Sequence, residues 1–138
     1  MKCLVTGGAG FIGSHVVDYL VNEGHNVVVI DDLSGGYIEN INTKANFVKK
    51  DLVELDQNDP LLRDVDIVYH LAAFPAEGLS LFMPYYIAQK NYMAFLRLLT
   101  SCINNNVKTI VFTSSMAVYG NNPQPPFDEK QSRNPVDP

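Results

Sequence analysis
Residues 6–13 read TGGAGFIG, a run that could hold a pyrophosphate. Gly8, Gly10 and Gly13 satisfy G-x-G-x-x-G, while Gly7, Gly10 and Gly13 satisfy G-x-x-G-x-x-G. Either register supplies a tight turn, a backbone bare enough for a phosphate to approach, and a close contact of helix on strand. The N–H groups near Phe11 and Ile12 would then stand at the positive end of a helix dipole, where an anion is stabilised. A glycine-rich structural turn is the plainer reading of such a run. Its context speaks against that: an apolar strand precedes it, an amphipathic helix follows, and an acid ends the next strand.

That acid is Asp31. A carboxylate there can accept hydrogen bonds from both ribose hydroxyls of an adenosine, and it repels a 2′-phosphate. The residues after it, DLSGGYIEN, contain no Lys or Arg, which favours NAD over NADP. Asp32 reads equally as a ribose contact or as a solvated loop residue. Asp51, in KKDLVEL, stands where a third strand should end. It could reach an adenine amino group or cap a helix, and the residues leave both open.

Other reactive types have plainer readings. Ser114 and Ser115 close an apolar run, where hydroxyls often satisfy local backbone groups. Tyr86 and Lys90 form a literal Tyr-x-x-x-Lys, but that spacing on a helix is ordinary neighbouring of side chains. His15, His25 and His70 lack metal-ligand spacing, and Cys3 and Cys102 are too isolated for a disulfide framework or a zinc site. No metal is expected. With 46% hydrophobic and 18% charged residues, the chain is globular rather than disordered. A net charge of -5 without a basic cluster speaks against a nucleic-acid partner. No apolar run approaches membrane-spanning length, and MKCLVTGGAG is too short a run for a signal peptide. A reducing, cytoplasmic setting without a membrane partner is expected.

These groups need a scaffold, and the apolar pattern supplies one. KCLVT (2–6), NVVVI (26–30), DIVYHLAA (66–73) and KTIVFTSS (108–115) read as buried strands, and ANFVKK (45–50) as a weaker one. The helix after the glycines places Ile12, Val16, Tyr19 and Leu20 on one face and stops at Gly24. A long helix spans roughly 81–104, with Tyr85, Ala88, Tyr92, Phe95, Leu96, Leu99 and Ile103 recurring at spacings of three and four. Strands alternating with helices predict an α/β fold, a Rossmann-type doubly wound parallel sheet. Residues 1–119 form that dinucleotide-binding domain. Residues 120–138 are rich in proline and lack periodicity, so they read as an extended segment.

TGGAGFIGSH, DDLSGG, YHLAA, Asn91 and SSMAVYG, in this order and spacing, resemble the extended short-chain dehydrogenase/reductases. Within them the chain resembles the NAD-dependent epimerase/dehydratase family, whose best-known type acts on UDP-glucose at C4. The resemblance covers essentially the whole chain. It implies that Gly7, Gly10, Phe11, Ile12 and Gly13 hold the pyrophosphate and Asp31 the ribose. It implies that Asp51 and Leu52 meet the adenine, that Leu71, Ala72 and Ala73 wall the site, and that Asn91 stands near that wall. Ser115 matches the hydroxyl that hydrogen-bonds the sugar oxygen.

The family's general base is a Tyr, with a Lys four residues later that lowers its pKa. By resemblance that pair follows the Ser strand after a P-x-x-P segment, so it is expected past Pro138. Tyr119 does not match it, since Pro123 stands where the Lys would be. The residues here alone are therefore expected to bind NAD without turnover, as the truncated N-terminal part of an epimerase. A naturally short NAD-binding module and a related reductase are the alternatives. The 4,6-dehydratases carry an Asp-Glu pair after the hydroxyl residue; Met116 and Ala117 stand here. A nucleotide sugar such as a UDP-hexose is the expected substrate of the longer form. The resemblance also implies a homodimer through the long helix.

Overall fold
The computed structural model describes residues 1–121 and 124–136. Parts of the proline-rich segment, residues 122–123 and 137–138, lie outside the described residues. Five strands form one sheet: β1 (Lys2–Thr6), β2 (Asn26–Asp31), β3 (Asn46–Lys49), β4 (Ile67–His70) and β5 (Thr109–Phe112). Their order is β3-β2-β1-β4-β5, and every neighbouring pair is parallel. Helices α1 (Phe11–Asn22), α2 (Glu77–Ser80), α3 (Pro84–Ile87) and α4 (Ala94–Asn104) connect or flank them.

The central strands β1, β2 and β4 are packed on both faces, which is why they are apolar at consecutive positions, whereas β5 at the edge, expected as a buried strand, leaves Val111 and Phe112 exposed. Leu4, Val28, Ile30 and Val68 point to one face and pack with Leu98 and Cys102 of α4. Their neighbours Cys3, Val5, Val27 and Val29 point to the other face and pack with Val17 and Leu20 of α1. The strand's period of two thus divides each run between two cores.

Both helices bury a different stripe from the one their periodicity predicts. In α1 the buried positions are Gly13, Ser14, Val17 and Leu20, whereas Ile12 and Tyr19 are exposed. Glycine sets this phase. A Cβ on Gly13 would lie 2.1 Å from the Gly7 carbonyl oxygen, so the face with no side chain there is the one that can approach the loop. The long helix starts at Pro84, a residue suited to a first turn because it has no N–H to leave unpaired. It runs to Asn104 through a π-helical turn at Ala88–Met93. Such a turn holds an extra residue and so offsets the two halves by about 100°. Ala94, Leu98, Ser101 and Cys102 face the core, while Tyr85, Tyr92 and Ile103 stay exposed.

After β5 a 3₁₀ turn (Met116–Tyr119) leads into the proline-rich segment, which folds back on it. The Asn134 N–H donates to the Val118 carbonyl at 2.9 Å, and the Tyr119 and Phe127 rings stack 5.0 Å apart. Among the described residues no helix is long and apolar enough to cross a membrane.

Candidate functional site
The strand order reverses between β1 and β4, and such a switch point opens a crevice at the carboxyl ends of the strands. A cleft of about 270 Å³ lies there. Gly7, Gly10, Asp31, Asp32, Asp51, Leu52, Leu71, Ala72 and Ala73 all line it. The fold therefore brings together residues from the ends of three strands and from the loops after β2 and β3.

The glycine turn is held by its own backbone. The Gly7 N–H donates to the Ile30 carbonyl at 2.9 Å, and the Gly10 N–H donates to the Gly7 carbonyl at 3.1 Å. Gly7 has φ +73°, and a Cβ on it would stand 2.7 Å from the Ala72 nitrogen. No side chain caps α1 at Gly10, and its first turn carries no acid. The first N–H groups of a helix have no partner within it, so this end is suited to an anion. Phe11 and Ile12 are not among the residues that line the cleft; their side chains are exposed, and Phe11 lies against His15 with ring centres 5.0 Å apart.

Asp31 ends β2 and is 9% exposed. One carboxylate oxygen accepts from the Ala9 N–H of the glycine loop at 3.0 Å, the other from the Leu33 N–H at 2.8 Å. Each oxygen keeps acceptor capacity after one bond. The carboxylate is thus fixed beside the glycine turn and can still receive a pair of hydroxyls. The loop after it docks on the same place: the Tyr37 N–H donates to the Ala9 carbonyl at 3.1 Å. Ser34, Gly35 and Gly36 of that loop line the cleft as well.

The sequence around Asp31 holds no cation, but the fold brings one. Lys90, in the π-helical turn, reaches into the cleft and places its ammonium 2.8 Å from Asp32 Oδ2 and in hydrogen-bonding contact with Asp51 Oδ2. Burial works to lower the Lys90 pKa, but the hydrogen bonds and charges of Asp32 and Asp51 outweigh it and raise it. Burial likewise pushes Asp32 up, and the bonds from Lys90 and Ser34 bring it below the usual carboxylate range. Asp51 also accepts from the Val53 N–H at 3.1 Å and so caps the 3₁₀ turn at Leu52–Glu54. Lys90 lies 6.0 Å above the ring of Tyr86, which itself packs edge-on against Phe74. The Tyr-x-x-x-Lys pair is thus an ion-pair and packing arrangement.

Lys50 lines the cleft too, held 2.5 Å from Asp59, whose side chain is nearly buried. The wall at the end of β4 is anchored from both sides. Thr6 Oγ1 accepts from the Ala72 N–H at 3.3 Å and sits 2.8 Å from His70 Nδ1. Burial lowers the His70 pKa to about 4, so the ring is neutral near pH 7, and its Nδ1 shares a hydrogen bond with the Thr6 hydroxyl. Asn91 does not line the cleft; it clamps the wall, accepting from the Phe74 N–H at 2.7 Å and donating to the Phe74 carbonyl at 3.2 Å.

Gly13 packs beneath the turn and outside the cleft lining. Ser115 stands apart as well, exposed at the end of the β5 run, where its Oγ accepts from the Ala117 N–H at 3.1 Å. Sequence reasoning missed Lys90 as a cleft residue because it arrives from a helix distant in the chain, and missed Lys50 although it directly precedes the candidate Asp51. The glycine pair of DDLSGG was a usable signal for the loop after β2, since two adjacent glycines permit close backbone approach.

A bare turn before a helix with a free positive end, a fixed carboxylate and an apolar wall fit a dinucleotide. The sequence profile of the NAD dependent epimerase/dehydratase family matches residues 3–138. The chain belongs to that family. It is 39% identical over 140 residues to the UDP-glucose 4-epimerase of Lactobacillus helveticus, covering 100% of this chain and 42% of that one. The crystal structure of UDP-glucose 4-epimerase with UDP-glucose from Thermotoga maritima superposes with a TM-score of 0.91 at 38% identity, covering 99% of this chain and 46% of that one. That of UDP-glucose-4-epimerase from Stenotrophomonas maltophila, with bound NAD and formylated UDP-arabinopyranose, gives 0.90 at 32% identity, covering 99% and 44%. The chain thus spans less than half the length of each of these family members.

Proposed function
We propose that these residues are the NAD-binding part of a sugar-nucleotide epimerase of the UDP-glucose 4-epimerase type. The observation that carries this reading is the Asp31 carboxylate, locked by the Ala9 and Leu33 N–H groups beside the bare glycine turn. In the reading, Gly7, Gly10, Phe11, Ile12 and Gly13 hold the pyrophosphate through backbone N–H groups. Asp31 takes the adenosine ribose with Asp32 beside it, Asp51 and Leu52 meet the adenine, and Leu71, Ala72 and Ala73 form the wall that Asn91 steadies. Bound NAD supplies a hydride acceptor and donor for the sugar carbon. Ser115 hydrogen-bonds the sugar oxygen once its own local bond is exchanged. Residues 1–119 form the dinucleotide unit, and 120–138 lead toward the part that grips the nucleotide sugar.

The family includes dehydratases. Met116 and Ala117 after Ser115 offer no acid or base, which favours epimerisation. A dinucleotide-binding module without catalysis of its own is the second reading, favoured by the placement of the lone Tyr-x-x-x-Lys on an ion pair with Asp32 and Asp51.

The test is calorimetric titration with NAD and NADP. NAD is expected to bind more tightly than NADP, and Asp31→Asn to weaken NAD binding ~10-fold or more, the cost of losing hydrogen bonds to a charged acceptor. Unchanged NAD affinity in Asp31→Asn would remove the ribose role. Epimerisation of a UDP-hexose is expected only when these residues are joined to a Tyr-x-x-x-Lys-bearing extension. Turnover by residues 1–138 alone, above a Ser115→Ala control, would contradict that division.

The exposed stripe of the long helix belongs to the same proposal. Tyr92 is 63% exposed and Ile103 65%, and Phe112 on β5 is 54% exposed. Apolar surface of this kind is usually covered by another chain or domain. Sedimentation velocity over a concentration series is expected to show self-association; a single monomer boundary at the highest concentration would count against it.

A further inference from the structure
We propose that Lys90 is a specificity-determining residue of the cleft: its ammonium offsets Asp32 and Asp51 and so limits how strongly the site rejects a 2′-phosphate on the adenosine ribose. The proposal rests on the dinucleotide reading above and goes beyond it, because Asp31 alone would predict simple exclusion of NADP.

The argument is one of charge and position. Three carboxylates line the cleft where an adenosine would lie: Asp31, Asp32 and Asp51. Two cations line it as well, Lys50 and Lys90. Lys50 is held by Asp59, which is almost wholly buried, so its charge is already matched. Lys90 is therefore the cation that opposes the acids at the end of β2. It comes from the helix and bridges Asp32 after β2 to Asp51 after β3, tying three segments across the mouth.

An ammonium has three donors, and the two carboxylates take two of them. Lys90 lines the cleft, so in this proposal its third donor serves an acceptor bound there. A 2′-hydroxyl can use it, and a 2′-phosphate gains more from it, since the attraction grows with the anion's charge. Without Lys90 the same phosphate would meet three carboxylates and, as the remaining cation of the lining, only Lys50, which is held by Asp59. The side chain is only 18% exposed, so solvent screens this charge less than it would an exposed one.

The experiment compares Kd for NADP with Kd for NAD in one buffer, so that each variant serves as its own control for the folded fraction. Lys90→Met is expected to raise the NADP/NAD ratio of Kd ~10-fold, the scale of one unit charge within several ångströms at a partly screened site. Asp32→Asn removes a carboxylate while leaving Lys90 in place, and is expected to lower the ratio several-fold. A ratio that stays constant or falls in Lys90→Met overturns the proposal. If Lys90→Met does not fold, Lys90→Gln, which keeps a donor toward Asp32 and Asp51 without the charge, decides in its place, and a constant or lower ratio there overturns it. A wild-type chain that binds neither dinucleotide overturns both the dinucleotide reading and this inference. NAD binding with unmoved ratios overturns the role of Lys90 only.

Discussion
Replacing Gly13 by alanine is expected to cost about 3 kcal/mol or more and to abolish dinucleotide binding together with it. The new Cβ would stand 2.1 Å from the Gly7 carbonyl oxygen and 2.9 Å from the Gly8 Cα, both backbone atoms. A flexible side chain could swing away from such a clash, but the turn cannot. Gly7 is itself pinned, with its N–H on the Ile30 carbonyl and its Cα face against the Ala72 backbone. Relief therefore requires α1 to lift off β1 and β2, which opens the core of Val5, Val17 and Val29. Thermal unfolding should show a midpoint lower by on the order of 10 °C, given that each kcal/mol shifts a domain of this size by several degrees. Gly78→Ala is the control: nothing lies within 4 Å of its Cβ position, and that variant is expected to be neutral or slightly stabilised. A Gly13→Ala protein with wild-type midpoint and NAD affinity would mean that the turn is not the rigid support described here.

The second large effect is a loss of stability in mild acid. His70 is 4% exposed, between Phe95 and Phe112, and burial depresses its pKa from 6.5 to about 4. The unfolded chain takes up a proton at this residue near pH 6.5, while the folded chain does not until near pH 4. Between those values the unfolded state binds more protons, so stability falls as pH falls, by about 3 kcal/mol in all. Above pH 6.5 the contribution is fully present, and below about pH 4 no more is lost. The lowered carboxyls of Asp32 and Asp59 act in a separate window: their contribution is present above 3.8 and is lost as pH falls through their lower folded values. Urea unfolding at a series of pH values should show the decline between pH 6.5 and 4 in the wild type. In His70→Gln, which keeps a side-chain hydrogen-bonding group for Thr6, the decline in that window should vanish. Persistence of the same slope in the variant would assign it to other groups.

Much of this protein could be read along the chain, because the informative signals are local. The apolar runs at 2–6, 26–30 and 66–73 overlap β1, β2 and β4, since a strand buried on both faces must be apolar at successive positions. The glycine run and Asp31 could be joined in one site because a strand-turn-helix unit places its turn beside the end of the next parallel strand. Other features depended on phase and distance. Periodicity placed Ile12, Val16, Tyr19 and Leu20 on the buried face of α1, and the contact of Gly13 with Gly7 turns the helix to bury Gly13, Ser14, Val17 and Leu20 instead. A single helical period could not carry through Ala88–Met93, because a π-helical turn rotates one half of the helix against the other. Asp32 and Asp51 were open between contact and cap on sequence alone. Asp51 does cap a turn, and both share Lys90, a partner 58 and 39 residues away in the chain. Residue types and local spacing determined the fold class and the glycine–acid core of the site. Tertiary structure alone decided which charges meet in the cleft, because an ion pair is set by distance in space, and spacing along the chain does not encode it.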